Sequence, residues 1–160
     1  MSSTVYNSQI TKKSVIVSFL LFTFLIVNTD SFSQITTNWS VCYGGSSSDE
    51  GYDIIQTNDG GYIMLGETQS SDQQVSGYHD SRDAWIVKTD AKGEIEWEKC
   101  YGGTEIDVFK DVIQISNGDY IFVGNTQSND GDVSGDHTHG DAWVLETDSI
   151  GNIIWQNYYG

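Results

Sequence analysis

Two of the three histidines stand four residues ahead of an aspartate: His79 before Asp83, and His137 before Asp141. A carboxylate at that spacing can hold an imidazole in place. A transition metal would ask for more, because it needs three or four convergent ligands. His137 and His139 supply two, in one stretch only. A second group, Asn129-Asp130-Gly131-Asp132, sets carboxylates at alternate positions, as oxygen ligands are set around calcium. No glutamate closes that loop, and the matching stretch upstream keeps only Asp72, with Gln73 and Gln74 in place of Gly131 and Asp132. Two readings stand: Asp and Gly stiffen the loop through turn chemistry, or Asp130 and Asp132 bind calcium. Asp72, His79, Asp83, Asp130, Asp132, His137 and Asp141 are the candidate binding residues. No catalytic set accompanies them, for there is no nucleophilic serine motif and no phosphate-cradling loop. A glycosidase would need two carboxylates about 5–10 Å apart across a cleft, a pairing that only the fold can make.

The elements that must position these residues repeat. Residues 39–96 laid over 97–154 without a gap are identical at 28 of 58 positions. Trp39, Trp97 and Trp155 stand 58 apart, as do Tyr43, Tyr101 and Tyr159. Such periodicity outranks other fold arguments, since each copy must share one backbone. Each copy reads as four strands: 52–57, 62–67, 83–90 and 94–101, then 110–115, 120–125, 141–148 and 152–159. Asn58-Asp59-Gly60-Gly61 supplies the positive-φ residues of a tight hairpin. No segment of the mature chain has the apolar spacing of a helix.

Ile63, Met64 and Leu65 are consecutive, which buries both faces of the second strand. The fourth strand alternates, with Ile95, Trp97 and Tyr101 inward and Glu94, Glu96 and Glu98 outward. Covered inner strands and a wet outer strand describe a propeller blade. The expected fold is therefore all-β: two four-stranded antiparallel propeller blades plus one extra N-terminal strand at residues 39–43, a partial β-propeller. A ring takes about 4–8 blades, so the remaining blades would come from further chain or from other copies. The long loops 68–82 and 126–140 fall at the same end as 44–51 and 102–109, and that face carries the candidate residues. Trp85 and Trp143 are expected as packing wedges. Cys42 and Cys100, at equivalent outer positions, are expected as separate buried thiols.

The first 33 residues read as an address. Lys12 and Lys13 precede an uncharged run at residues 15–27, which is shorter than the roughly 20 residues of a membrane span and fits a secretory signal peptide. Ser31 and Ser33 are the small residues of a cut before Gln34. The mature segment 34–160 would then carry no membrane span. It keeps 22 acidic and five basic side chains once Lys12, Lys13 and Asp30 are set aside. That balance excludes nucleic-acid binding through phosphates.

Trp97, Tyr101-Gly102-Gly103, Gly118-Asp119-Tyr120-Ile121, Asp130-Gly131-Asp132-Val133-Ser134-Gly135 with His137, Asp141-Ala142-Trp143 and Gly151 together resemble a repeat family of secreted bacterial β-propellers. That family is common in the Bacteroidetes group and often exported by the type IX route. The resemblance covers residues 39–160. It implies repeat 1 at 39–96, repeat 2 at 97–154, the start of a third at 155–160, and a location outside the cell or on its surface. The function expected is a non-catalytic binding or surface-display scaffold for an extracellular protein or glycan. The alternatives are a fragment of a propeller enzyme, glycoside-active or quinoprotein-like, and a calcium-stabilised structural module.

Overall fold

The computed structural model describes residues 39–134 and 140–160. The segment 1–33, expected as a signal peptide, and the candidate residue His137 lie outside the described residues. The eight strands are β1 (Asp49–Gln56), β2 (Tyr62–Thr68), β3 (Asp83–Thr89), β4 (Ile95–Tyr101), β5 (Asp107–Gln114), β6 (Tyr120–Thr126), β7 (Asp141–Thr147) and β8 (Ile153–Tyr159). They form two four-stranded sheets, ordered β1-β2-β3-β4 and β5-β6-β7-β8, with every neighbouring pair antiparallel. Among the described residues there is no helix, and hence none long and apolar enough to cross a membrane.

The tight turns follow from the residue types. Thr57 N donates to Gly61 O, and Gly60 closes the turn at φ +87°; Ile115 and Gly118 (φ +97°) repeat the arrangement. Asp90 accepts from the amides of Lys92 and Glu94, and Asp148 from those of Ile150 and Asn152, the local bonding that favours aspartate at strand ends. The first strand of each sheet starts three residues before the expected position. The register slips between Gly51 and Asp53, and again between Phe109 and Asp111. A bulge of this kind inserts one unpaired residue and breaks the period-2 pattern, which hid Asp49–Gly51 from a reading by alternation. Gly66 and Gly124 lie opposite these bulges, where a Cβ would run into the Glu50 or Val108 carbonyl.

The sheets share one core. Ile63, Leu65, Ala84, Ile86 and Tyr101 of the first pack with Phe109, Phe122, Trp143 and Leu145 of the second. The other face of the first sheet buries Trp85, Val87 and Cys100, covered by Tyr43, Val75 and Tyr78. Trp85 and Trp143 are thus packing wedges, 6% and 0% exposed.

A latch repeats at the junctions. Trp97 Nε1 donates to Ser149 O (3.2 Å) and Tyr101 OH to Gly151 O (2.6 Å), both in the β7–β8 turn. Fifty-eight residues earlier, Trp39 Nε1 donates to Ala91 O (3.1 Å) and Tyr43 OH to Gly93 O (2.7 Å). Residues 39–43 therefore sit on the first sheet as β4 sits on the second. They do not form the extra strand expected, because among the described residues no neighbouring strand forms a ladder with them. Lacking that cover, Cys42 is exposed, which corrects the expectation of two buried thiols; Cys100 is buried, and both are free. Iodoacetamide should label one thiol of the native chain and the second only after denaturation, as read by intact mass.

On β8 the counterparts of Trp97 and Tyr101, Trp155 and Tyr159, are 37% and 63% exposed. Trp155 Nε1 turns instead to Glu146 of its own sheet, since no described turn lies in front of it.

Candidate binding face

The long loops lie at one end of the sheets, as their strand order requires. Gln69 N donates to Ser48 O, and Gln127 N to Ile106 O. A clasp of side chains fixes each pair of loops. Asp107, fully buried at the start of β5, accepts from Gly103 N (2.8 Å), Thr126 Oγ1 (2.5 Å) and Ser128 Oγ (2.6 Å). Asp49 accepts from the equivalent Gly45 N (2.8 Å), Thr68 Oγ1 (2.5 Å) and Ser70 Oγ (3.0 Å). The serine hydroxyls pass the network on, accepting from Ser47 N and Glu105 N. Buried carboxylates persist only where such donors replace water.

Asp72 and Asp130 finish the clasp. Asp72 Oδ1 accepts from Ser46 N (2.8 Å), and Asp130 accepts from Thr104 N and Thr104 Oγ1 (2.8 Å each). These bonds hold the Asp130 carboxyl below its usual range. The residues therefore do what Asp and Gly turn chemistry predicts. The calcium reading fits poorly. Both oxygens of Asp130 take donors, and Asp132 faces the imidazole Nε2 of His79 at 3.8 Å. Calcium wants six to eight oxygens around it, and no cluster of three or more His, Cys, Asp or Glu able to hold a metal occurs among the described residues.

The fold brings three of the candidates together at the junction of the sheets. His79 Nδ1 lies 2.7 Å from Asp83 Oδ2, the His79 amide donates to the same oxygen (2.9 Å), and Asp132 approaches from the second unit. Asp72 stays apart with Ser46, and Asp141 begins β7. Asp83 is fully buried and its Oδ1 has no partner. Burial pushes its carboxyl up to about 6, against the pull of the His79 bonds.

A raised carboxyl favours the folded state most when it is neutral. Asp83 should therefore contribute most below about pH 4, and that contribution should be lost as pH rises through about 6. A shift of this size is worth roughly 3 kcal/mol. Asp83→Asn should flatten the fall in melting temperature between pH 4 and 7; an unchanged slope would assign the dependence elsewhere.

Sequence reasoning missed Lys88. It is 2% exposed in the middle of β3, and its Nζ meets Glu96 (2.6 Å), Asp59 (2.9 Å) and Thr89 O (3.0 Å). Burial works against its charge, but the two carboxylates outweigh it and raise its pKa. Asp59 is drawn down to about 2 by its Thr57 bond and then by Lys88. The trio lines a groove of about 510 Å³ on the tight-turn side, with Trp97, Gln114 and Tyr120. The one signal was a lysine inside DAWIVKT, where the second copy has Glu146.

Fold and face together define an all-β protein of repeated four-stranded antiparallel sheets whose acidic loops are braced from within. No protein-family model and no curated protein matches the chain.

Proposed function

We propose that this chain is a secreted or cell-surface β-propeller segment of the bacterial repeat family it resembles. It would act as a non-catalytic scaffold that binds or displays an extracellular protein or glycan. Export would use residues 1–33 as a signal peptide, and the type IX association belongs to the same resemblance. Further blades, from more chain or from other copies, would complete a ring. One observation carries the reading. The recurrent loop carboxylates Asp49, Asp107, Asp72 and Asp130 are spent on backbone amides and hydroxyls, so they preorganise a binding surface. The enzyme alternative gains little from the carboxylate pair in the groove beside Lys88. Asp59 and Glu96 are both tied to Lys88, and a carboxyl held near 2 suits no general acid.

The test is export of the full chain from a Bacteroidetes-type host. The reading expects a mature N-terminus at Gln34 in the medium or surface fraction, and retention inside the cell once residues 15–27 are deleted. An uncleaved precursor in the cytoplasm would count against it. Millimolar calcium should leave the melting temperature unchanged, whereas a rise would restore the calcium-stabilised module.

A further inference from the structure

The two copies differ at one strand position, buried in the second and exposed in the first, in a way that leaves an open pocket. In the second sheet, Phe109 is fully buried on β5, and its ring stacks on Trp143 with centroids 4.5 Å apart and planes 30° apart. Tyr101 closes on it edge-on at 6.3 Å, and Phe122 lies at 5.4 Å. The equivalent residue of the first sheet is Gly51. The register is conserved, since Phe109 pairs with Gly124 and Gly51 with Gly66. The walls are conserved too: Trp85 stands for Trp143, Tyr43 for Tyr101, Met64 for Phe122 and Val87 for Leu145. The ring is missing, and among the described residues so is a covering sheet like the one that buries Phe109, so Gly51 is exposed and the space beside it is open. A Cβ placed on Gly51 would meet nothing within 4 Å.

What remains is a pocket of about 120 Å³ lined by Tyr43, Glu50, Gly51, Met64, Trp85 and Val87, with Asp49, Leu65 and Gly66 completing it. Its lining is apolar and aromatic, and an apolar cavity of about 150 Å³ is enough to hold benzene. Trp85 is fixed for stacking, because its Nε1 donates to Glu98 Oε2 at 3.0 Å. Tyr43 is held by its bond to Gly93 O. Glu50, exposed beside Gly51, puts a carboxylate at the mouth.

We propose that this pocket binds a small monocyclic aromatic molecule, uncharged or cationic, whose ring takes the place that Phe109 fills in the second sheet. The volume, a little below that of a cavity that holds benzene, limits the occupant to a single ring, with any substituent projecting from the open mouth beside Glu50. Offset stacking on Trp85 favours an aromatic ring over a saturated one of equal size. The Glu50 carboxylate, on a chain of net charge −16, disfavours an anion.

The test is NMR of the full chain. Met64 is one of only two methionines, so its ε-methyl and the Trp85 indole N–H report on the pocket. Toluene and benzylamine should shift both signals saturably, while benzoate and cyclohexane should shift them at least tenfold less at equal concentration. Gly51→Phe should abolish the response and raise the melting temperature by about 4 °C or more, from the apolar area it covers. Gly51→Ala, which keeps the walls, should retain binding. The proposal is overturned by the absence of a saturable shift in the folded chain, by an undiminished response in Gly51→Phe, or by an equal response to cyclohexane. If Gly51→Phe fails to fold, the wild-type comparison of toluene with cyclohexane and benzoate decides alone.

Discussion

Asp107→Ala should cost about 3–4 kcal/mol of unfolding free energy, while the same change at Asp49 should cost about half as much. Asp107 is buried completely and takes three donors, from Gly103 N, Thr126 Oγ1 and Ser128 Oγ. Removing it strands those donors away from water, at about 1–3 kcal/mol for each group left unpaired. The hydroxyls recover part of that by rotating to new acceptors; the Gly103 amide has no such freedom. Asp49 holds the three equivalent partners, Gly45 N, Thr68 Oγ1 and Ser70 Oγ, but is only half-buried, so water can replace it. Urea unfolding of the full-length variants measures both. Equal losses would mean that burial is not what separates the two clasps, and a loss below about 1 kcal/mol at Asp107 would remove the clasp from the account.

Trp143→Ala should be as severe, at about 4 kcal/mol, with a fall of roughly 12–20 °C in melting temperature. The side chain is 0% exposed and stacks between Phe109 at 4.5 Å and Tyr158 at 6.4 Å, while its Nε1 donates to Gln156 Oε1 at 3.1 Å. The alanine leaves a void in a core that both sheets share, and such a void collapses only in part. Trp85→Ala should cost clearly less. Its ring already borders the empty space beside Gly51, so fewer contacts are lost. Calorimetry of the two variants checks the order; equal losses would contradict the asymmetry between the copies.

The repeat made the strands legible. The same apolar and turn residues recur at a fixed distance, and seven residues in a row, such as DAWIVKT, leave little choice of element. The bulges at Gly51/Asp53 and Phe109/Asp111 were not legible, since an inserted residue removes the alternation by which a strand is found. At the candidate face, the sequence showed which acids recur but not their partners. Thr68 is 19 residues from Asp49 and Ser46 is 26 from Asp72, so only strand pairing brings them together. Lys88 escaped notice because a long side chain can carry its charge from a buried stem to carboxylates on neighbouring segments. The Gly51 pocket was visible only as a difference between copies, and its meaning needed the neighbours of Phe109.

The central claim is that one repeated unit, latched by the outer-strand tryptophan and tyrosine to the next turn, makes a single scaffold of both sheets. Hydrogen exchange of the full native chain tests this most directly, because it resolves the opening free energy of each segment. The account predicts that core amides of β2, β3, β6 and β7 exchange through one common opening, and that Tyr101→Phe, which removes the 2.6 Å bond to Gly151 O, lowers protection in both sheets together. Two separate opening free energies, with Tyr101→Phe affecting one sheet alone, would contradict it.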